Sequence, residues 1–474
     1  MELQSDSALT LQSPPGAPPR SPPRRYPYPH GGGGCGGEDR ISALPDDVLL
    51  QILVHLRCAR AAALTSAVSR RWRGLWRHLP ELSFRDIALD AANAALRQIV
   101  CPSLSRLEVE IPEEHRIMDA ARVSALLHAA ARLHPVDLVI DLWGHCKDRD
   151  FPIKIPCFER AASIKLRVVN LYLTLPAANV EQPLLERLSV AGCRFDGMAE
   201  LITRCPNLRV LEVCGCWGLD TVKIHSPTIE ELVLDNNGVL GNLDIVAPLL
   251  EQFRLQATMG RDFNVLFSAP VVRYLWWWCS CEQRNVGIGQ VWYLRSLDLW
   301  TEENAYVLQL NIDFATHMPV EHDLIQQIAQ LPQFSVLKIY LATYGHVFGA
   351  PVLDLLATYT GILRLKVVIR NLERTQECRP DCLCDASRPY WRSQSIPLLF
   401  LEEIEIDGFE GSGHEVDFLK LLFRCATLMK RMTVRLSRKV FPSDGGYEEM
   451  RKIFEAYASV ECVVYGSSGR VVDI

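Results

Sequence analysis

Three cysteines near residue 380 come nearest to a chemical site in this sequence. Cys378, Cys382 and Cys384 lie within the segment ECRPDCLCD, and cysteine thiolates are strong zinc ligands. Their spacing, however, lacks the paired C-x2-C arrangement that is typical of zinc sites. The chain has 16 cysteines and no N-terminal apolar region of signal-peptide type, which together favour reduced thiols in structural positions. We therefore predict no metal site and no cofactor.

Enzyme chemistry finds little support elsewhere in the sequence. His145 and Cys146 are adjacent, but adjacent side chains do not generally face each other in regular structure, so we expect no catalytic dyad. The GGGG run at residues 31–34 lacks the strand and helix that a nucleotide site requires. A net charge of −6 does not favour nucleic acid, and no apolar run reaches the ~18 residues of a membrane span. We predict a non-catalytic intracellular protein of the nucleus, the cytoplasm or both, which binds neither nucleic acid nor a membrane.

Four aromatic residues are the best candidate for a recognition surface. Tyr274, Trp276 and Trp278 alternate along one segment and should face one side of a strand. Trp300 is expected on the adjacent strand, in the column of Trp278. Since aromatic side chains are common anchors of interfaces, we predict that these four residues bind a target protein. The alternative is that a neighbouring segment covers the rings and makes them core.

A sequence repeat must position these aromatics. Each unit opens with a proline, and successive prolines are 21 to 23 residues apart: Pro183, Pro206, Pro227, Pro248 and Pro270. Each unit carries an inward apolar triplet, namely Leu185, Leu188 and Val190; Leu208, Leu211 and Val213; Ile229, Leu232 and Leu234; Leu250, Phe253 and Leu255; and Val272, Leu275 and Trp277. A small polar residue follows three positions later, at Cys193, Cys216, Asn237, Thr258 and Ser280. Period and pattern are typical of a leucine-rich-repeat solenoid with parallel strands on its concave face.

Further copies extend the repeat in both directions. A sixth unit, YLRSLDLW, keeps the period, and looser copies lie around Leu107 and Leu337. We therefore predict a long but irregular solenoid that ends in other structures.

A helical block precedes the repeats. Pro45 and the two following aspartates favour a helix start, and apolar residues then recur at helical spacing. A later helix, capped by Ser69, is predicted to carry Trp72 and Trp76 on one face. About forty residues cannot bury this much apolar surface internally, which predicts a partner.

The same block resembles the plant-type F-box. The shared pattern comprises Asp39, Arg40, Ile41, Ser42, Leu44, Pro45, Asp46, Ile52, Leu53, Thr65, Ser66, Ser69, Arg70, Arg71, Trp72, Leu75 and Trp76. The resemblance implies docking on a Skp-family adaptor and, through it, on a cullin-based ubiquitin ligase. The predicted adaptor-binding residues are Leu44, Pro45, Val48, Leu49, Ile52, Leu53, Val68, Trp72, Leu75 and Trp76. Residues 57–60 depart from the pattern.

The C-terminal stretch from residue 398 predicts a strand, a turn, an amphipathic helix and another strand. It resembles the FBD region of plant F-box proteins. The predicted fold class is α/β: a three-helix F-box, an irregular leucine-rich-repeat solenoid and an FBD-like α+β end. The predicted domains are a Pro/Gly-rich disordered tail (1–38), the F-box (39–80), the solenoid (81–375), a loop (376–396) and the FBD-like region (397–474).

Together these features predict the substrate-recognition adaptor of a Skp/cullin/F-box (SCF-type) ubiquitin ligase. The F-box would hold the Skp-family adaptor, and the repeats would hold an unknown target protein for ubiquitination and degradation. Two alternatives remain. One is a ligase-independent leucine-rich-repeat scaffold, which the departure at residues 57–60 favours slightly. The other is a receptor whose pocket holds a small molecule that completes the target interface.

Overall fold

The fold is described from a computed structural model. It describes residues 41, 44–112, 117–147, 150–175, 181–195, 197–281, 286–303, 305–314, 320, 322–328, 330–372, 378–379, 381–386, 389–440 and 444–472. The predicted tail, together with Asp39, Arg40 and Ser42 of the F-box pattern, lies outside these residues. The chain divides into two units, 1–48 and 49–474. In the first unit, the Leu44 N–H donates to the Ile41 carbonyl at 3.2 Å just before a helix begins.

Ten α-helices lie in the described part of the chain. They are α1 (Asp46–His55), α2 (Ala59–Leu64), α3 (Leu89–Arg97), α4 (Ala120–Ala131), α5 (Met198–Arg204), α6 (Ile325–Ile328), α7 (Gly349–Thr358), α8 (Leu383–Ala386), α9 (Gly413–Cys425) and α10 (Gly445–Ala456). Short 3-10 helices span Thr65–Ala67, Leu75–His78 and Pro389–Ser393. Within the described residues, no helix combines the length and the apolar character needed to cross a bilayer.

The strands follow the repeat. They are β1 (Glu81–Phe84), β2 (Arg106–Ile111), β3 (Ile117–Met118), β4 (Asp137–Cys146), β5 (Pro152–Lys154), β6 (Ser163–Val169), β7 (Tyr172–Thr174), β8 (Arg187–Ala191), β9 (Arg194–Phe195), β10 (Val210–Cys216), β11 (Thr221–His225), β12 (Glu231–Val246), β13 (Gln252–Ser268), β14 (Tyr274–Ser280), β15 (Val286–Ile288), β16 (Trp292–Glu302), β17 (Ala305–Phe314), β18 (His322–Asp323), β19 (Val336–Ala342), β20 (Arg364–Arg370), β21 (Glu403–Phe409), β22 (Arg431–Leu436), β23 (Glu461–Tyr465) and β24 (Val471–Val472).

One strand from each repeat pairs in parallel with the strand of the next repeat. Pairing runs from β1 through β2, β4, β6, β8, β10, β12 and β13 to β14. The register aligns the predicted triplets: Leu188 faces Leu211, Leu211 faces Leu232, and Leu232 faces Phe253. All fifteen triplet residues are buried. The predicted parallel repeats are therefore confirmed, because alternation along each strand and a constant period fix the same columns.

The small polar residues after the triplets make contacts between successive repeats. The Sγ atoms of Cys193 and Cys216 lie 3.7 Å apart, and the Cys216 thiol donates to the Val190 carbonyl at 3.7 Å. The hydroxyls of Thr258 and Ser280 lie 3.2 Å apart. The side chain of Asn237, the remaining predicted member of this set, lies outside the described residues.

The sixth unit departs from the prediction. After β15 the chain turns back at Gly289, which has a φ of +63°, and β16 then runs antiparallel to β14, β15 and β17. The repeat pattern therefore correctly predicted that Leu297 and Leu299 are buried. It was wrong about the direction of β16, which is not parallel to its neighbours. From β17 onward, parallel pairing resumes through β19, β20, β21, β22 and β23.

The predicted helix after Ser69 is also different. Residues 70–74 form turns, and a single 3-10 helix, Leu75–His78, follows. Gly74 has a φ of +86°, a left-handed conformation that ends any continuous α-helix at this point. Trp72 and Trp76 are nevertheless both buried. The apolar spacing therefore predicted which side chains are buried but not the secondary structure that carries them.

The C-terminal stretch has the predicted order of strand, turn, helix and strand, namely β21, α9 and β22. At the start of α9, the Glu415 carboxylate accepts hydrogen bonds from the backbone N–H groups of Ser412 at 3.0 Å and Glu410 at 2.9 Å. Because β21 pairs with β20, the FBD-like stretch continues the sheet of the repeats. In the segment 376–396, predicted as a loop, the described residues include α8 and a 3-10 helix.

Candidate functional site

The F-box helices bury one set of apolar side chains. Helix α1 begins directly after Pro45, and its inner face carries Leu49 and Leu53, one turn apart and both buried. Trp72 and Trp76 are buried as well. Of the ten predicted adaptor contacts, these four therefore pack inside the protein. They hold the block together, and replacing them would disturb its fold before any partner was involved.

A second set of apolar side chains remains at the surface of the F-box. Ile52 is 40% exposed and Val68 is 72% exposed. Leu56, the first residue after α1, follows Ile52 by four positions, and Leu64 at the end of α2 precedes Val68 by the same interval; both leucines are also exposed. The other predicted contacts are less decisive: Pro45 is exposed, whereas Leu44, Val48 and Leu75 are half-buried. Exposed apolar side chains at helical spacing suit a helix-to-helix interface.

The predicted aromatic surface lies on the open side of the repeat sheet. Tyr274 is 54% exposed and Trp278 is 37% exposed, while Trp276 and Trp300 are half-buried. Among the described residues, therefore, no segment covers the rings of Tyr274 and Trp278. Because β16 is antiparallel, Trp300 faces Trp276 and not Trp278, which corrects the predicted column.

Two cations lie over this aromatic surface. The Arg254 guanidinium sits 4.7 Å from the ring centre of Trp276, and the Lys338 ammonium sits 4.9 Å from that of Trp300. Such cation–π contacts hold the rings in place, and the Lys338 ammonium also pairs with the Glu302 carboxylate at 3.4 Å. The sequence predicted the rings but not the approach of Lys338, because Lys338 lies two strands beyond Trp300 in the sheet.

A cleft of about 400 Å³ opens beside Trp278. Its lining includes Ser280, Arg295, Ser296, Asn311, Asp313, Tyr340 and Arg370. The Asn311 amide donates to the Ser296 hydroxyl at 2.7 Å, and the Arg295 guanidinium pairs with Asp313 at 3.1 Å. The cleft therefore offers both hydrogen-bond donors and hydrogen-bond acceptors next to the exposed indole of Trp278.

Asp298 is the register partner of Trp278 at the border of this cleft. Its carboxylate accepts a hydrogen bond from the Gln309 amide at 3.2 Å, yet partial burial raises the pKa of Asp298 to about 6. The sequence did not indicate the polar residues of this cleft. Most of them lie on β16 and β17, and the repeat pattern does not reveal that the chain reverses direction there.

The dyad considered from the sequence is not formed. His145 is exposed and contacts Asn170 at 3.3 Å, while Cys146 is buried on the opposite face of β4. The side chains diverge because neighbours on a strand point to opposite sides.

Several known proteins are similar to this chain in sequence. The F-box domain family matches residues 41–84. An Arabidopsis thaliana F-box/FBD/LRR-repeat protein is 30% identical over 209 residues, which is 42% of this chain and 45% of the relative. A second F-box/FBD/LRR-repeat protein of the same plant is 28% identical over 253 residues, half of each chain. An FBD-associated F-box protein, also from Arabidopsis thaliana, is 25% identical over 257 residues, 49% of this chain and 58% of the relative.

These similarities are all to one class of protein. The chain carries an F-box domain joined to a mixed α/β repeat fold with a largely parallel sheet. Its curated homologues are plant F-box/FBD/LRR-repeat proteins, and the chain spans about half the length of the curated relatives it matches. The family resemblance predicted from the sequence is therefore confirmed.

Proposed function

We propose that this protein is the substrate-recognition adaptor of an SCF-type ubiquitin ligase. The observation that carries the proposal is the F-box domain at residues 41–84, together with the exposed apolar side chains on and directly after its helices. In this function the F-box binds a Skp-family adaptor, which connects the chain to a cullin. The protein itself is non-catalytic and acts in the nucleus, the cytoplasm or both.

The repeat sheet supplies the other half of the proposed function. The aromatic surface formed by Tyr274, Trp276, Trp278 and Trp300 offers large apolar area flanked by the cations of Arg254 and Lys338. Rigid aromatic rings with a charged border are typical anchors of protein interfaces. A target bound here would be held close to a ubiquitin-charged enzyme on the same scaffold, so the rate gain comes from effective concentration.

A binding experiment with purified Skp-family adaptor tests the F-box half. We expect the intact chain to bind, and the double variant Ile52→Glu and Val68→Glu to bind at least about 100-fold more weakly, since each apolar side chain buried at a contact contributes roughly 1.5–3 kcal/mol. Both positions are exposed in the free chain, so the variant should keep its melting temperature.

The matched control is Leu428→Glu, which charges a side chain that is 61% exposed in the FBD-like stretch. This variant should bind the adaptor like the unaltered chain. Failure of the intact chain to bind would refute the ligase role and leave the ligase-independent scaffold. Equal binding by all three proteins would move the contact away from Ile52 and Val68.

The cleft beside Trp278 favours a second candidate, a small-molecule receptor of the F-box class. A volume of about 400 Å³ with an indole and several hydrogen-bonding groups lies within the usual range of ligand pockets. A metabolite panel screened by melting temperature tests this function, because a ligand that binds only the folded chain raises its stability. A ligand whose effect persists after Asn311→Ala would not occupy the cleft.

A further inference from the structure

Two loops meet at one edge of the repeat sheet. Strands β19 and β20 are parallel neighbours, so the loops that follow them emerge at the same edge. After β19 the chain makes a tight turn in which the His346 N–H donates to the Thr343 carbonyl at 2.9 Å. Tyr344 and Gly345 support this turn with φ values of +50° and +80°. The loop after β20 carries the three clustered cysteines to the imidazole of His346.

The four side chains converge on a single point. The Sγ atoms of Cys378 and Cys384 lie 3.5 Å apart, and the Cys382 Sγ lies 3.4 Å from the His346 Nδ1. All four ligand atoms are within 4.8 Å of one another. In a tetrahedral zinc site with Zn–S near 2.3 Å and Zn–N near 2.0–2.1 Å, neighbouring ligand atoms are about 3.5–3.8 Å apart. The two close distances agree with the edges of such a tetrahedron.

We propose that His346, Cys378, Cys382 and Cys384 bind one structural zinc ion. Three thiolates and one imidazole form a closed Cys3His set, which leaves no open position for substrate and therefore favours a structural over a catalytic role. Zinc is the metal that this combination of soft thiolate and imidazole ligands selects in tetrahedral geometry.

The surroundings orient the histidine and shield the cluster. The His346 ring stacks on Phe314, with ring centres 3.6 Å apart and planes 11° apart, which fixes the direction of its nitrogens. His346 and Cys384 are both buried.

The cysteine segment is also anchored from its other side. Asp385, directly after Cys384, accepts a hydrogen bond from the Trp391 indole at 3.1 Å and pairs with the Arg392 guanidinium at 2.7 Å. Arg392 in turn donates to Asp417 of α9 at 2.8 Å. Zinc would thus tie the turn before α7, the segment around α8 and the FBD-like helix α9 into one assembly.

Metal analysis of the full chain, purified under reducing conditions from zinc-containing medium, tests the proposal. We expect about one zinc per chain and, after replacement by cobalt(II), the thiolate charge-transfer bands of a tetrahedral site. The single variants Cys382→Ser and His346→Gln should bind zinc on the order of 100-fold more weakly or worse. The matched control, Cys462→Ser, removes a half-buried cysteine outside the cluster and should keep the metal.

A measurement on the unaltered chain guards against variants that fail to fold. Removing zinc with a chelator should increase hydrogen exchange in residues 381–386 and 343–346 while leaving β2, β4 and β6 protected. The absence of zinc and of cobalt(II) bands from the reduced chain would overturn the proposal. A disulfide between Cys378 and Cys384 in protein alkylated at lysis would overturn it as well. These readouts do not depend on adaptor binding, so they stand apart from a test of the ligase role.

Discussion

Truncating the two adjacent tryptophans of β14 should lower the stability of the chain by very different amounts. Trp277 is buried, and its ring packs edge-on against Phe253 at 5.8 Å and against Phe267 at 6.0 Å. Trp278 points to the other face of the sheet and is 37% exposed. We expect Trp277→Ala to lower the free energy of unfolding by about 3–5 kcal/mol, including about 0.5–1.5 kcal/mol for each lost aromatic pair. Trp278→Ala should cost about 1 kcal/mol or less.

Urea unfolding followed by far-ultraviolet circular dichroism measures the global effect, and hydrogen exchange locates it. Because each repeat is stabilised by its neighbours, the loss in Trp277→Ala should concentrate in β13, β14 and β16. Trp277→Phe keeps an aromatic partner for Phe253 and should recover part of the loss. Equal destabilisation by Trp277→Ala and Trp278→Ala would refute the assignment of the two faces, and with it the aromatic surface.

Two further predictions concern a titrating group and a constrained glycine. Burial raises the pKa of Asp298 to about 6, so between about pH 4 and 6 the folded chain keeps a proton that the unfolded chain has released, and stability falls as the pH rises through this window. Asp298→Asn should flatten this part of the stability curve in urea titrations, and an unchanged slope would contradict the origin assigned to it. Gly408 has a φ of +81°, and a Cβ there would lie 2.2 Å from the Ile369 carbonyl oxygen, so Gly408→Ala should cost more than about 2 kcal/mol. Gly413→Ala, where a Cβ meets no heavy atom within 4 Å, should change stability by about 1 kcal/mol at most, and equal melting temperatures of the two variants would argue against the strain.

The repeat register was predictable because it depends on local pattern alone. Alternation places Leu188 and Leu211 on one face of their strands, and the constant period brings them opposite each other. The start of α1 after Pro45 was predictable for the same reason, since it depends only on the proline and the acidic residues of the first turn. The F-box resemblance likewise rests on a contiguous string of residues, and the family match at residues 41–84 confirms it.

Features that depend on chain reversal or on distant pairing were not predictable in this way. The turn at Gly289 reverses β16 and places Trp300 opposite Trp276, although the repeat period continues through the segment. The left-handed Gly74 replaces a predicted helix by turns, although the apolar spacing remains helical.

The burial of the F-box side chains and the cluster of metal-ligating residues also depend on tertiary structure. The sequence determined which F-box residues are apolar, but the tertiary structure decided that Leu49 is buried and Ile52 is exposed, because burial depends on what packs against each helix. The sequence likewise displayed three clustered cysteines without a fourth ligand. The parallel pairing of β19 with β20 brings His346 to Cys382, 36 residues away in the chain. Local periodicity therefore determined the strands and their faces, whereas the meeting of distant loops was decided only by the order in which the strands pair.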